Sequence, residues 1–296
     1  MALSARLLVP GDEKLLSDFL KPYTPFAFFM CSNLAKTGLG FEGKPFQGEY
    51  FGAFNGDNLQ GVLMHGWAGN VQVFAIDLYA IPIIVNVWHD HLAKTPRKIE
   101  IFLGPANHVK ALLSSIGLNV IALRKEGVEE GLCTLSLEKM IMPSLLQKEG
   151  IIVRHAQSVD TDTLAKWRHD FFVEALGSLP GQQLYDVAKA EIINRTENKE
   201  IFVLEDHGRT SSFCGVGGSL PDWTNVGPVW TPPDYRNKGY GRTVIAGALL
   251  ALRQKGIANA VLFSSRADAQ KAYRALGFNQ IGDWIFDFLK KPIDRL

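Results

Sequence analysis

The stretch Val229-Trp230-Thr231-Pro232-Pro233-Asp234-Tyr235-Arg236-Asn237-Lys238-Gly239-Tyr240-Gly241-Arg242-Thr243 constrains the fold more than any other. Two adjacent prolines fix φ and lack N–H donors, so a strand ending at Trp230 cannot carry its ladder through them. From Tyr240 to Lys255 the residues Val244, Ile245, Ala248, Leu249 and Leu252 recur on one helical face, and Gly256 closes the run. A short basic loop joins strand to helix. The helix start offers unpaired N–H groups and a partial positive charge. Gly239 and Gly241 keep side chains off that backbone, while Arg236, Lys238 and Arg242 add formal charge. The arrangement is an anion cradle for a diphosphate. It is not a Walker loop, because Gly-Lys-Ser/Thr after a four-residue gap is absent. Nor is it a three-glycine dinucleotide loop, because Val244 follows Gly241-Arg242-Thr243.

The rest of the chain alternates short β-like runs with amphipathic helical runs, the α/β pattern. At 296 residues it is long enough for two domains. In the first half, Arg6–Val9 reads as a strand, and Asp12–Leu20 and Phe26–Ala35 as helices. Strands Tyr50–Phe54 and Gly61–Trp67 flank an Asn55-Gly56-Asp57-Asn58 turn, and Val71–Trp88 reads as strand, turn and buried helix, the helix running from Pro82 to Leu92. Strand Ile99–Leu103 and helix Asn107–Ile116, ended by Gly117, follow. The second half repeats that order. Strand Ile151–His155, helices Asp160–Leu176 and Gln182–Thr196, and a hairpin of Glu200–Glu205 with Ser212–Ser219 lead to strand Val226–Trp230 and the long helix. Strand Ala260–Ser264, helix Asp268–Leu276 and strand Ile281–Leu289 complete it. Leu132–Leu137 is either a strand of the first half or one crossing between halves, and residues 142–150 read as linker.

Two spaced motifs resemble a known family. Arg236-x-x-Gly239-x-Gly241, after a strand and opening a long helix, resembles motif A of the GNAT superfamily of acyl-CoA-dependent N-acyltransferases. The Thr-Pro-Pro-Asp-Tyr-Arg lead-in resembles a largely bacterial, often two-domain subset. Downstream, Ala269-x-x-x-Tyr273-x-x-x-Gly277-Phe278 resembles motif B. The resemblance covers roughly residues 150–296. It implies two GNAT-like domains in tandem, each a mixed, mostly antiparallel twisted sheet flanked by helices. Residues 1–140 would be a degenerate copy and residues 150–296 the acyl-CoA-binding catalytic copy.

The resemblance also implies a reaction: transfer of an acetyl group from acetyl-CoA to a primary amine by direct attack in a ternary complex, with CoA as product. The pantetheine arm would fill a wedge where the strands of Val229 and Val261 part at Gly227 and Pro228. A free N–H near Val229 or Trp230 would face the thioester oxygen, where negative charge develops. Cofactor contacts fall on Val229, Trp230, Thr231, Arg236, Asn237, Lys238, Gly239, Tyr240, Gly241, Arg242 and Thr243. Tyr273 holds the position of the acid that serves the leaving sulfur. One departure is Arg266, which stands where motif B has asparagine and which would reach the cofactor's phosphates. Two other readings are a catalytically silent acyl-CoA-sensing or interaction module, and a transferase using a longer acyl or aminoacyl donor.

No base is marked as plainly. Asp222, Glu205 and Glu174 are the carboxylates at strand ends and on substrate-side helices, and Asp234 would orient Arg236. Trp223, Trp230, Phe171 and Phe172 could line an acceptor pocket. A formal net charge of +1 gives no global field for nucleic acid or an acidic membrane, so the expected partner is a small-molecule or peptide amine. Cys31, Cys133 and Cys214 are scattered and odd in number, which fits free thiols in a reducing, cytoplasmic setting. No metal is expected. His89-Asp90-His91 places its histidines on different helix faces, so it reads as a polar helix end. Gly104-Pro105-Ala106-Asn107-His108 reads as the place of a second cofactor loop, without the Arg-x-x-Gly-x-Gly set.

Overall fold

A computed structural model describes residues 3–117, 128–218 and 220–294. The first run of elements is β1 (Ser4–Leu7), α1 (Glu13–Leu20), α2 (Phe28–Thr37), β2 (Gly48–Asn55), β3 (Asn58–Gly66), β4 (Asn70–Ala75), α3 (Ala80–Lys94), β5 (Ile99–Pro105), α4 (Ala106–Ile116) and β6 (Val128–Ser136). The second run is β7 (Ile151–His155), α5 (Thr161–Leu176), α6 (Gln182–Glu197), β8 (Ile201–Asp206), β9 (Arg209–Gly217), β10 (Trp223–Trp230), α7 (Tyr240–Arg253), β11 (Asn259–Ser264), α8 (Ala267–Arg274) and β12 (Asn279–Ile293). The helix expected from Phe26 begins at Phe28, because Pro22 and Pro25 hold Lys21–Phe26 in a 3-10 turn. The hairpin strand expected to reach Ser219 stops at Gly217, and Ser219 lies outside the described residues.

All twelve strands join one mixed sheet, in the order β1-β2-β3-β4-β5-β12-β6-β11-β10-β9-β8-β7. Exchanging the two runs leaves that order unchanged. β5 is followed by β12 and β11 by β6, so each run lends its last strand to the other's sheet. Leu132 pairs with Phe263 of β11 on one side and Gly282 of β12 on the other. The strand around Leu132 is therefore the crossing one. Only β4–β5 and β10–β11 are parallel neighbours; the remaining pairs are antiparallel.

Apolar alternation explains which side each helix covers. In the second run, Phe202, Leu204, Cys214, Leu262 and Phe278 point to α7, while Val203, Phe213 and Trp230 point to α5 and α6. Gly247 lets α7 lie close on β7: a Cβ there would meet Val153 at 2.5 Å. A separate core spans the exchange, made of Phe28, Leu103, Leu132, Val261 and Trp284. Burying a side chain such as Phe28 or Leu132 contributes roughly 1.5–3 kcal/mol, so this seam binds the runs into one body. Among the described residues, no helix is long and apolar enough to cross a membrane.

Candidate active site

β10 and β11 pair in parallel through Trp223↔Asn259, Thr224↔Ala260 and Asn225↔Val261, and then stop. Beyond that point β10 stays with β9, and β11 stays with β6. The cause is local. Gly227 has φ +147°, Pro228 has no N–H, and the β9–β10 register shifts between Val226 and Val229. Arg195 of α6 holds this irregular stretch by donating to the Val216 carbonyl at 3.0 Å and the Gly227 carbonyl at 3.1 Å. Asn225 Nδ2 donates to the Val261 carbonyl at 3.4 Å, across the last parallel pair.

The loop at the mouth of this opening is tightly built. Pro232 and Pro233 end β10, and Pro233–Tyr235 makes one 3-10 turn. Asn237 and Gly239 take left-handed φ values of 62° and 82°, and Gly239 caps α7. Thr243 Oγ1 bonds to the Gly239 carbonyl at 2.9 Å. Ser212 Oγ donates to the Trp230 carbonyl at 2.9 Å and shares a 2.9 Å hydrogen bond with Thr231 Oγ1. A Cβ on Gly241 would come within 3.4 Å of Thr231 Oγ1, so the first turn of α7 sits against the strand end. The Tyr240 hydroxyl donates to the Asp206 carboxylate in the β8–β9 hairpin. The end of β10, from Val229 to Thr231, and the loop into α7, from Arg236 to Thr243, thus stand side by side.

The charges are distributed differently from expectation. Lys238 lies 5.6 Å from the Tyr235 ring centre, and neither it nor Arg242 pairs with a carboxylate among the described residues. Arg236 lies 4.8 Å over the Trp230 ring and donates to the Thr231 carbonyl at 3.0 Å and to Glu174 at 2.8 Å. Its acidic partner is therefore Glu174 of α5, not Asp234; α6 and strands β8 to β10 lie between Glu174 and Arg236 in the chain and hide the pair from a local reading. Arg266 caps α8 and bonds to Glu174 at 2.9 Å and Asp268 at 2.9 Å. One carboxylate thus clasps both arginines, and they hold its pKa below the usual carboxylate range.

That clasp removes Glu174 as a base, since a carboxylate held ionised by two guanidinium groups is a weak proton acceptor. Glu205 is tied to Arg154 at 2.9 Å. Asp222 is exposed and acts through its backbone carbonyl, which receives the N–H groups of Ala258 and Asn259. A part-buried carboxylate lies elsewhere. Glu130 of β6, opposite Trp284, has no hydrogen-bond or ion-pair partner among the described residues, and burial pushes its pKa up to about 7. Sequence reasoning passed over it because its burial arises only when β6 crosses into the second sheet.

Tyr273 packs edge-on against Phe278 at 6.0 Å in the core under α7. Its hydroxyl has no hydrogen-bond partner among the described residues. Burial raises its pKa. Cys214 is fully buried, with its thiol pushed up to about 12 by desolvation, so it is no nucleophile. Phe171 meets Trp230 edge-on at 6.1 Å, and Arg168 covers Phe172 at 4.0 Å, so both aromatics serve the α5 packing.

Other features lie apart from the opening. A surface hollow of about 510 Å³ beside Arg6 and Phe54 sits at the far edge of the first run. His91 bonds to Glu49 at 2.9 Å, and no group of three metal-type side chains exists among the described residues. Gly104–His108 proves to be the start of α4, the counterpart of α8, and not of the loop helix. The counterpart of the basic loop is Ile76-Asp77-Leu78-Tyr79, between β4 and α3.

Residues 197–280 match the family model described as Acetyltransferase (GNAT) domain. No curated protein is similar enough in sequence to match. Among solved structures, a Drosophila protein superposes with a TM-score of 0.64 at 13% identity, covering 97% of this chain and 99% of its own. A GCN5-related N-acetyltransferase from Sphaerobacter thermophilus gives 0.56 at 12% identity, over 99% and 98%. A tandem GNAT protein from the clavulanic acid biosynthesis pathway gives 0.54 at 12% identity, over 99% and 100%. Residues 197–280, which include the loop between β10 and α7, thus match an acetyltransferase (GNAT) domain model, and along its whole length the fold is similar to those of these solved structures.

Proposed function

We propose that the protein is an N-acetyltransferase that moves an acetyl group from acetyl-CoA to a primary amine, with the transfer site in residues 150–296 and residues 1–140 as a copy that lacks the cofactor loop. The observation that carries this reading is the parallel β10–β11 pair that ends at Asn225↔Val261 directly beside a glycine-bounded helix start. Strand edges without a ladder partner offer hydrogen bonds to an amide-bearing arm such as pantetheine, and the α7 N-terminus offers them to a diphosphate.

In this reading the backbone of Asn237 to Thr243 cradles the diphosphate, and Lys238 and Arg242 supply charge. Val229, Trp230 and Thr231 line the arm, with a strand N–H aimed at the thioester oxygen. Acetyl-CoA, when bound, supplies an acetyl carbonyl activated by sulfur. Tyr273 stands ready to donate its unbonded hydroxyl proton to the departing sulfur, and its raised pKa keeps that proton in place at neutral pH. Arg236 shapes the loop through Thr231 and Trp230, and together with Arg266 meets the phosphates once the Glu174 clasp opens. The direct test is calorimetry of the full chain with acetyl-CoA, followed by thiol release in the presence of amines. Binding without release across a broad amine panel would favour a silent acyl-CoA-sensing module instead.

A further inference from the structure

The exchanged strand β6 brings a carboxylate from the first run into the second run's sheet. Its register with β11 is unbroken from Gly131↔Ser264 to Ser136↔Asn259. Alternation therefore puts Glu130 on the same face as Leu132, which belongs to the seam core, and opposite to Cys133 and Leu135. Across the sheet, Glu130 faces Trp284 directly, and Phe263 and Phe286 stand at the diagonal positions. Phe29 of α2 stacks on Phe263 at 5.6 Å and 24°. Phe263 lies 4.7 Å from Trp284 and meets Phe286 edge-on at 5.4 Å.

This aromatic group is half open. Phe29, Phe263, Phe286 and Glu130 are each only part-buried. Trp284 is fully buried, and its indole N–H has no partner among the described residues. A single carboxylate without a partner, set among aromatic faces, is the chemistry that recognises an organic ammonium ion. The pairing Gly131↔Ser264 sets Glu130 beside the C-terminal end of β11, the end at which β10 and β11 have lost contact. Its charge is felt at the Tyr273 hydroxyl.

We propose that Glu130 is the base of the transfer and that the aromatic face around it is the acceptor site, built for an arylalkyl primary amine. This rests on the transferase reading above. Glu130 receives one proton of the ammonium group. The neutral nitrogen then forms the C–N bond at the acyl carbon while the C–S bond breaks. Tyr273 gives its proton to sulfur and regains the second nitrogen proton, and Glu130 releases its own to solvent. The first run thereby supplies the base and half of the acceptor wall to a cofactor site held by the second.

Among the described residues, the other groups around Glu130 are accounted for. α2 presents Phe28 and Phe29, both uncharged. On β12, Asp283 and Asp287 alternate to the opposite face from Trp284 and Phe286. Glu129 also faces away and pairs with Lys110 at 3.2 Å. From α8 come Tyr273 and Asp268, the latter held by Arg266 at 2.9 Å.

The test compares the full-length protein with Glu130→Gln and Glu130→Asp, using 2-phenylethylamine as probe and acetyl-CoA as donor. Calorimetry with acetyl-CoA comes first and should give equal affinity in all three. A wild type that binds no acetyl-CoA would sink the transferase reading itself. Carbon-13 titration of the side-chain carboxyls should show one group near pH 7 that is missing from Glu130→Gln. Turnover of the wild type should rise with pH through that same inflection. In Glu130→Gln it should fall by about 10²–10⁴-fold and lose the inflection, while Glu130→Asp keeps the inflection at a reduced rate. Probe affinity should weaken at least about tenfold in Glu130→Gln, as expected when a charge partner is lost. Melting controls for folding have a sign of their own. The raised pKa penalises the folded state as pH climbs from the unfolded carboxylate value to about 7. Glu130→Gln should therefore melt higher than wild type at pH 8 and alike at pH 4. An acetyl-CoA-binding wild type that does not bind the probe, or a Glu130→Gln variant with unchanged probe affinity and pH profile, would overturn the assignment.

Discussion

The two halves share a pairing geometry and differ in what they do with it. β4 pairs with β5 through Asn70↔Ile101, Val71↔Phe102 and Gln72↔Leu103, and then parts from it, as β10 parts from β11 after three pairs. In the second half, the strand runs into two prolines, left-handed Asn237 and Gly239, and Lys238 and Arg242, which pair with no carboxylate among the described residues. In the first, it runs into Ile76-Asp77-Leu78-Tyr79, with one acid, no base and no glycine. The first opening is also filled from within. His108 of α4 bonds to the Ala75 carbonyl at 2.7 Å, and Phe74 stacks on its ring at 5.3 Å. Four residues before the glycine that closes the following helix stands Leu113 in one half and Tyr273 in the other. The parting of the parallel strands is common to both halves; loop charge, φ and one hydroxyl distinguish the second. The halves are also not separable, because each sheet is completed by the other's last strand.

The largest expected effect follows from that last point. A chain beginning at Gly150 loses β6, which lies between β11 and β12 and carries Leu132 of the seam core. It should show no cooperative melt by circular dichroism and no acetyl-CoA binding, whereas the full chain shows both. A sharp transition with normal binding would mean that the halves are independent domains that merely touch. The next effect is chemical. Tyr273→Phe keeps the ring against Phe278, so the melting temperature and acetyl-CoA affinity should hold while turnover falls by about 10²–10⁴-fold. Normal turnover would leave the sulfur to water and erase the contrast with Leu113.

A smaller effect separates the loops. Gly239→Val forces a β-branched residue to φ +82°, which costs about 1–2 kcal/mol or reshapes the loop. Acetyl-CoA affinity should drop about tenfold by calorimetry. Asp77→Ala, in the corresponding loop of the first half, should leave it unchanged. Equal effects of the two substitutions would show that both openings take the cofactor.

Much of this was legible in the sequence, for identifiable reasons. The loop and α7 are local, so prolines, glycines and helical periodicity within fifteen residues announce them. Element order was legible because alternation and amphipathic spacing are short-range signals. The partners of the charged groups were not. Arg236 and Glu174 are 62 positions apart, and Arg266 and Glu174 are 92 apart. Glu130 looks like an ordinary polar residue of a surface strand until β6 is placed between β11 and β12. Its isolation from other carboxylates and its aromatic surroundings are products of strand exchange, which no local pattern encodes.

The smallest effect concerns the clasp that the first half lacks. Glu174 holds Arg236 at 2.8 Å and Arg266 at 2.9 Å across the mouth of the second opening. All three side chains are about a third or more exposed, so water and salt screen both contacts. If the arginines turn to the cofactor's phosphates on binding, the clasp competes with the ligand. Glu174→Gln removes the competing charge with little change of shape. Exposed ion pairs are worth about 0.2–1 kcal/mol each, so acetyl-CoA affinity should rise about two- to fivefold at low salt, with the gain shrinking as salt is added. The opposite sign would be equally informative. A weaker affinity in Glu174→Gln would mean that the carboxylate holds Arg236 in the geometry that shapes the loop through Thr231 and Trp230, and that the arginines stay clasped in the complex. The low pKa of Glu174 fixes a further expectation. The clasp is intact at neutral pH and opens only as the carboxylate is protonated, below the usual carboxylate range, so the affinity difference between wild type and variant should be constant from pH 6 to pH 8. A difference that changed across that range would have to come from another group, such as the raised carboxyl of Glu130.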